Sequence, residues 1–278
     1  MHLPKLAAAL AAFTLAIAAD GPARAQWTED GISGFAKKAA RPPKASSDTA
    51  RHRSVSPRCS KSHYDYEVSF PRAIDGGGPV DKAVAARANI FLTQARDNSG
   101  VFMSSSQVCG DYSPESSLAS FFKVSSSPYR VSSSASSVLF SVKSSMGGAE
   151  GSSGFASTNL LSDGTEITLE RLFPEPEKSL PLLWASVYGG FCTDRSTMPA
   201  FYYFLPCVSG GGEIPPPPEP LKSPDATLDG AGHAVLTSLG LSVHLGDYET
   251  YTNMGDVEYL DIPKSDLLAM GADPKIWQ

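Results

Sequence analysis

The stretch from residue 136 to residue 173 constrains the fold of this chain more than any other stretch, because it sets the order of several local structures. Val138, Phe140 and Val142 alternate with Ser137, Ser141 and Lys143, which is typical of a strand with one buried face. A glycine pair at 147–148 interrupts this pattern before a second apolar run at 155–161. An Asp-Gly pair at 163–164 then favours a tight turn. The stretch therefore predicts two strands joined by a glycine loop and followed directly by a turn.

The rest of the chain alternates between helix-like and strand-like patterns. The clearest helix begins at Pro79 and continues to about Ala95, and the Asn-Ser-Gly sequence at 98–100 is predicted to end it. A shorter helix is predicted over 180–188, with the glycine pair at 189–190 ending it. Further strands are predicted at 63–70, 101–112, 117–125, 129–131 and 239–245. These patterns predict an α+β fold in which an antiparallel or mixed sheet packs against one long and one or two short helices.

The first 25 residues have the pattern of a secretory signal peptide. A charged start precedes an apolar run from Leu6 to Ala19, and the sequence Ala-Arg-Ala at 23–25 forms an A-x-A cleavage pattern. The run is too short to cross a bilayer. A buried amphipathic helix is the alternative interpretation, but the run lacks helical periodicity. We therefore expect a periplasmic or secreted protein with no transmembrane segment in the mature chain.

Residues 26–57 are rich in basic and small polar side chains and poor in large apolar ones. Such a segment buries too little apolar surface to offset the entropy of ordering it, so we predict a disordered basic linker. A basic arm that touches anionic cell wall or lipid is the functional alternative. Residues 58–278 are predicted to form a single domain, with a strand-helix-strand part at 58–135 and a second part at 136–278.

The charge balance argues against a nucleic-acid partner. The formal net charge is −6, and removal of the first 25 residues takes it to −7, because they hold two basic residues and one acidic residue. Basic residues concentrate between Lys37 and Arg58, and the sequence shows no basic face in the remainder. A negative chain instead favours encounter with a basic protein.

The four cysteines, Cys59, Cys109, Cys192 and Cys207, predict two disulfide bonds in an exported protein. No C-x-x-C pair occurs, so their spacing does not predict a zinc site. Three connectivities are possible, and the sequence alone does not choose among them. The pairing that we predict is Cys59–Cys109 with Cys192–Cys207, which joins neighbours along the chain.

Three segments together resemble one protein family. They are VLFSVKSSMGGAEG at 138–151, FASTNLLSDGTEITLERLF at 155–173 and LGLSVHLGDYETYTNMGDVEYLDIPKSDL at 239–267. This order resembles the domain of unknown function 3298 (DUF3298), the C-terminal domain of RsiV-type anti-sigma factors that is also attached to some peptidoglycan deacetylases. The resemblance implies an exported α+β domain that faces the cell wall, and in the anti-sigma proteins the equivalent region recognises lysozyme. Two features depart from the family, since Glu150 stands where histidine is common and the 192–224 insertion is unusual.

The sequence contains few signals of catalysis. It lacks a nucleophile elbow, a paired-histidine metal motif and a phosphate-binding loop, so we predict no catalytic residue, metal or cofactor. Among the scattered histidines, His244 alternates with core residues and is predicted to lie on a sheet surface. The candidate carboxylates are Glu150, Asp163, Glu166, Asp247 and Glu249. Glycan hydrolysis would need two of them about 5–10 Å apart in a cleft.

The strongest binding candidate is the loop that contains Met146, Gly147, Gly148 and Glu150. Its glycines leave the backbone open to a ligand, and Met146 places an adaptable apolar group near the Glu150 carboxylate. A tight structural hairpin is the alternative interpretation of the same glycines. The family resemblance implies that Tyr248 and Tyr251 lie at the same end of the sheet.

These residues predict an exported binding module for a cell-wall ligand, such as peptidoglycan, or for a basic lysozyme-like protein. The alternative is an envelope enzyme that acts on glycan or peptidoglycan, with Glu150 as acid or base. A purely structural role is a third interpretation. A pocket that joins Glu150 to another carboxylate would favour the enzyme, and a flat surface would favour binding.

Overall fold

The computed structural model describes residues 34–43, 45–56, 62–104, 119–145, 152–192, 233–245 and 258–278. The strands are β1 (Ser46–Val55), β2 (His63–Arg72), β3 (Ala119–Arg130), β4 (Ala135–Ser145), β5 (Ser152–Leu161), β6 (Ala234–Thr237), β7 (Gly240–Leu245) and β8 (Glu258–Pro263). The α-helices are α1 (Gly34–Lys38), α2 (Pro79–Ser104), α3 (Leu169–Leu172), α4 (Pro176–Cys192) and α5 (Lys264–Ala269), and a 3₁₀ turn follows at Pro274–Trp277. In this described part of the chain, no helix is long and apolar enough to cross a bilayer.

The larger sheet has the strand order β1-β2-β3-β4-β5. Strands β2 and β3 are parallel, and the other neighbours are antiparallel. Parallel neighbours need a long crossover connection, and α2 lies in the chain between them. The apolar stripe of α2 packs on one face of this sheet, where the Phe91 and Phe140 ring centroids are 5.2 Å apart. The predicted α+β fold with a mixed sheet is therefore confirmed.

A second sheet, which the sequence analysis did not separate from the first, is an antiparallel meander of β6, β7 and β8. One face of it packs against α4, whose Leu183 and Trp184 are buried together with Leu236 and Ile262. The C-terminal 3₁₀ turn closes this core, because the Trp277 indole Nε1 donates a hydrogen bond to Thr237 O at 3.0 Å.

Asn159 of β5 joins the two sheets through its side chain. Its Oδ1 accepts hydrogen bonds from the Leu236 backbone N–H and from the Ser137 hydroxyl, both at 2.8 Å. Its Nδ2 donates to Ala234 O at 2.9 Å. The amide thus bonds the outer edge of β6 as a neighbouring strand would, in a site where Asn159 is 1 % exposed.

The predicted end of the long helix at 98–100 is wrong, since α2 continues to Ser104. Phe102 is 3 % exposed and contributes to the core beneath the helix, and the Ser99 hydroxyl lies 2.8 Å from the Ser54 hydroxyl of β1. These tertiary contacts outweigh the local stop signal. Residues 101–104 are therefore helical rather than the start of a strand, and 105–112 lie outside the described residues.

The two strands predicted on either side of Pro128 are one strand, β3. Pairing of β3 with β2 ends at Val124, so the later part of β3 has a paired strand only on the β4 side. On the other side, Arg130 N donates to Ala40 O at 2.9 Å. Pro128 lies two residues earlier and has the same orientation, so its missing N–H falls on the side away from β4.

The prediction of disorder over 26–57 is wrong for the part that the structure describes. Strand β1 pairs with β2 over its whole length, and ion pairs cross between the two strands. Arg51 lies 2.9 Å from Glu67, and Arg53 contacts Asp65 with two hydrogen bonds at 2.6 and 2.7 Å. The strand is stabilised by its partner rather than by burial of its own apolar side chains, which is why its composition did not reveal it.

The N-terminal segment 34–43 is also ordered. Phe35 N donates to the Asp261 carboxylate of β8 at 2.9 Å, and the Arg41 guanidinium lies 4.2 Å from the centre of the Tyr129 ring. The segment therefore contacts both sheets.

Other local predictions are confirmed with adjusted bounds. The turn at 163–164 forms as expected, with Gly164 at φ 81° and Thr165 N bonded to Asp163 at 2.8 Å. Helix α4 buries the predicted side, although it spans 176–192 and runs through the glycine pair. Strand β7 begins at Gly240, and Leu239 lies in the preceding turn with 38 % exposure.

Several predictions lie outside the described residues. These are the signal peptide at 1–25, the residues Cys59, Cys109 and Cys207, and most of the 192–224 insertion. Cys192 is described only as the last residue of α4. The disulfides and the predicted domain bounds therefore stay predictions.

Candidate functional site

The predicted binding residues Met146, Gly147, Gly148, Glu150, Tyr248 and Tyr251 all lie outside the described residues. Their proposed grouping therefore stays a prediction. The structure does describe the strands on which the two segments are mounted. One segment follows β4 and precedes β5, and the other follows β7 and precedes β8.

The strands that lead into these two segments contact each other near their ends. Phe155 lies three residues after the start of β5, and His244 lies one residue before the end of β7. Their ring centroids are 5.2 Å apart. Leu139 and Val235 are buried in the same cluster as Phe155, so the strand ends are held by a packed apolar contact.

His244 is fully buried, with 0 % exposure, so the prediction of a sheet-surface side chain is wrong. Its Nε2 lies 3.0 Å from the Ser242 hydroxyl, and the rings of Phe155 and Tyr259 flank it. Strand β7 is covered on both faces, because α4 packs on one side of the small sheet and the larger sheet lies on the other. Period-two alternation identifies a strand but does not reveal a second covered face.

The glycine-rich loop before α2 is a helix cap. Asp75 accepts hydrogen bonds from the backbone N–H groups of Gly78 and Val80, at 2.8 and 2.9 Å. Asp81 accepts from Ile74 and Gly77 in return. Partial burial raises the pKa of Asp75, but these hydrogen bonds outweigh it and hold the pKa below its ordinary value. The chain's own carboxylates therefore occupy the N–H groups that an anion would otherwise use.

Of the described acidic candidates Asp163 and Glu166, Asp163 has a structural role in its turn. Hydrogen bonds from the Thr165 hydroxyl and backbone N–H hold the pKa of Asp163 below its ordinary value, as expected for a turn residue. Among the residues that the structure describes, no group of three or more His, Cys, Asp or Glu side chains is arranged to hold a metal ion. Glu150, Asp247 and Glu249 lie outside them.

The sequence analysis missed one charged surface. We call it the open sheet face: the exposed or half-buried residues Arg51, Arg53, Asp65, Glu67, Phe121, Lys123 and Lys143, which lie on the side of the larger sheet opposite α2. In the sequence, each of these residues is indistinguishable from an ordinary solvent-facing residue of a strand. Only the pairing register of the strands makes these residues neighbours.

The architecture defines an α+β domain in which one helix covers one face of a mixed sheet and a small second sheet covers part of the other. No protein-family profile and no curated protein matches the sequence. Among solved structures, a member of the DUF3298 family from Bacteroides fragilis has a TM-score of 0.54 and 10 % identity, over 84 % of this chain and 95 % of that one. The chain therefore has a DUF3298-type fold, which confirms the resemblance at the level of structure.

A DUF3298 family protein from Pseudomonas aeruginosa is also similar, with 13 % identity over 85 % of this chain and 98 % of that chain. Its TM-score is 0.45.

Proposed function

We propose that this protein is an exported, envelope-facing binding module whose ligand is a cell-wall component or a lysozyme-like protein. The signal-peptide pattern of the first 25 residues supports export. The DUF3298-type fold agrees with the family resemblance of the sequence, and that resemblance implies a domain that faces the cell wall. The candidate binding residues are Met146, Gly147, Gly148, Glu150, Tyr248 and Tyr251.

The contact between Phe155 and His244 is the observation that carries this proposal. It brings together the ends of two antiparallel strand pairs, each of which carries one candidate segment. Segments mounted on rigid strands are where binding residues concentrate, because the scaffold lowers the entropy lost on binding.

The chemistry of the residues suits this role. Tyrosine presents a large apolar ring with a polar tip, which serves both sugar rings and protein surfaces. The Glu150 carboxylate and the net charge of −6 favour approach of a basic protein.

Binding of lysozyme and of purified peptidoglycan to the mature chain tests the proposal. We expect Glu150→Ala and Tyr251→Ala each to weaken binding about tenfold, as for central residues of an interface. Glu177→Ala, which removes an exposed carboxylate of α4, is the matched control and should bind as the wild type does. Thermal unfolding should be unchanged in all three variants. Wild-type affinity in both site variants would contradict the proposal, as would failure of the mature chain to bind either ligand.

A further inference from the structure

The face of the larger sheet opposite α2 has a covered part and an open part. The covered part holds Tyr129, Leu139 and Phe155, which are buried with Val235 of the small sheet. The open part is the open sheet face defined above. It consists of odd-numbered residues of β1 to β4, which share this side because side chains alternate along a strand.

The register arranges the open sheet face in two rows that cross the strands. One row runs from Arg51 to Glu67, Lys123 and Lys143, each being the direct partner of the next. The second row runs from Arg53 to Asp65 and Phe121.

Both arginines of the open sheet face are neutralised by ion pairs. Arg51 bonds Glu67, and Arg53 bonds Asp65. Within the described ranges, no carboxylate forms a salt bridge with Lys123 or Lys143. The two lysines therefore supply an excess positive charge to this face, while the whole chain has a net charge of −6.

The two lysines are held next to each other by the sheet. They are direct cross-strand partners, and like charges in that position repel each other. An aromatic ring adjoins them, since Lys123 Nζ lies 5.4 Å from the centre of the half-buried Phe121 ring. A bound anion would relieve the repulsion without any movement of the backbone.

The local field is consistent with this excess. The Arg53 hydrogen bond is the main cause that holds the pKa of Asp65 below its ordinary value, and the charges of His63 and Lys123 act in the same direction. The carboxylate of Asp65 is already bonded to Arg53, so it does not neutralise the lysine pair.

We infer that the open sheet face is a second binding surface, formed by other residues than those of the 146–150 segment, and that its ligand is an anionic glycan chain. The anionic groups of the glycan contact Lys123 and Lys143, and a sugar ring stacks on Phe121. Ser125, Ser141 and Ser145 lie on the same side of the sheet and offer hydroxyl groups to neutral sugar positions.

A glycan fits this surface better than an acidic peptide does. Peptides that recognise sheets usually pair with a free strand edge through their main chain. The lysines lie on β3 and β4, which are interior strands of the five-stranded order. Recognition here must use side chains, and cations, hydroxyls and an aromatic ring are the groups that bind an acidic sugar chain.

The test uses the mature chain, residues 26–278, and a purified oligouronate as the probe, with calorimetry at low and high salt. We expect weak binding that becomes weaker at high salt, because exposed charge pairs are screened. Replacement of both lysines, Lys123→Gln with Lys143→Gln, should weaken binding about tenfold or more, which corresponds to about 1.4 kcal/mol. Phe121→Ser should also weaken it.

The matched control is Lys82→Gln with Lys275→Gln, which removes the same charge from exposed positions elsewhere. It should change the affinity less than twofold, by the screening of distant exposed charges. Equal loss in the control and the test variant would overturn the inference, because net charge alone would then explain binding. Absence of oligouronate binding to the wild type would also overturn it.

Further arms separate this inference from its rivals. Tighter binding of a single-stranded oligothymidylate or of an oligoglutamate would overturn the glycan assignment, and so would equal binding of a neutral glucan. The double lysine variant should melt at the same or a higher temperature than the wild type, since a repulsion is removed. A lower melting temperature would indicate a structural role and count against the inference.

The proposed function is tested independently of this surface. Glu150→Ala and Tyr251→Ala should leave oligouronate affinity unchanged, because neither residue belongs to the open sheet face. Loss of oligouronate binding in these variants would overturn the separation of the two surfaces.

Discussion

Asn159 offers the sharpest test of how the two sheets are joined. Replacement by alanine removes the acceptor for Leu236 N–H and for the Ser137 hydroxyl, together with the donor to Ala234 O. The site is dry, since Ala234 and Leu236 are 0 % exposed and Ser137 is 1 % exposed. An unpaired buried polar group costs about 1–3 kcal/mol.

Two backbone groups and one hydroxyl lose a partner, and the hydroxyl can rotate toward another acceptor. We therefore expect Asn159→Ala to lower the free energy of unfolding by about 2–5 kcal/mol. This is a large part of the about 5–15 kcal/mol that stabilises a typical domain. The matched control, Ser137→Ala, removes one donor and leaves the bonds to β6 intact, so it should cost at most about 1 kcal/mol.

Asn159→Asp adds a second test with a different readout. The aspartate keeps an acceptor for Leu236 N–H but places an oxygen opposite Ala234 O, and burial without a cation raises the pKa of such a carboxyl. A raised folded-state pKa means that stability is retained at low pH and lost as pH rises. We expect the variant to be closer to the wild type at pH 4 than at pH 8.

Urea unfolding followed by tryptophan fluorescence measures these effects, because Trp184 and Trp277 are buried in the core between α4 and the small sheet. The slope of the transition should stay constant, so that the midpoint reports stability. The reasoning would be refuted if Asn159→Ala lost less than about 0.5 kcal/mol, which is the scale of an ordinary surface substitution. It would also be refuted if Asn159→Asp showed no greater loss at pH 8 than at pH 4.

Three further predictions concern stability. Gly190→Ala should lower the free energy of unfolding by about 1–3 kcal/mol, and with it the melting temperature, because a Cβ at this position would lie 2.5 Å from Leu260 Cδ1. Gly189→Ala is the control and should not lower the melting temperature, because a Cβ there would have no atom within 4 Å. Burial raises the pKa of Tyr64 to about 12, so stability should be lost as pH rises from about 10 through 12, and alkaline unfolding of Tyr64→Phe should be shallower than that of the wild type. The pKa of Asp75 is lowered, so its contribution to the free energy of unfolding should be present above about pH 4 and be lost as pH falls. In a series of unfolding measurements at decreasing pH, Asp75→Asn should therefore lose less stability than the wild type does.

Local patterns in the sequence were sufficient to predict several secondary-structure elements and one turn. The apolar residues at alternate positions 138, 140 and 142 predict β4, and Val138 and Phe140 pack beneath α2 as expected. The same spacing does not show that Leu139 is buried on the opposite face by the small sheet. Helical spacing likewise predicts the buried side of α4. The Asp-Gly pair at 163–164 predicts its turn because positive φ at that position favours glycine.

Where tertiary partners decide the outcome, the local patterns failed. Strand β1 has almost no apolar residues, and it is ordered by ladder and ion-pair partners on β2. Pro128 lies inside β3 because one side of the strand lacks a ladder partner there. His244 is buried because a second sheet covers its face. Each outcome depends on residues distant along the chain.

The candidate binding surfaces divide in the same way. The glycine loop at 146–150 is visible in the sequence because its residues are consecutive, and the conformational freedom of glycine is a local property. The open sheet face is not visible there, since Glu67, Lys123 and Lys143 come from three different strands and are not consecutive in the chain. Charge along the chain does not report charge across a sheet, because the register alone determines which side chains become neighbours about 4.8 Å apart. The folded sheet therefore carries a positive surface on a chain whose sequence is acidic overall.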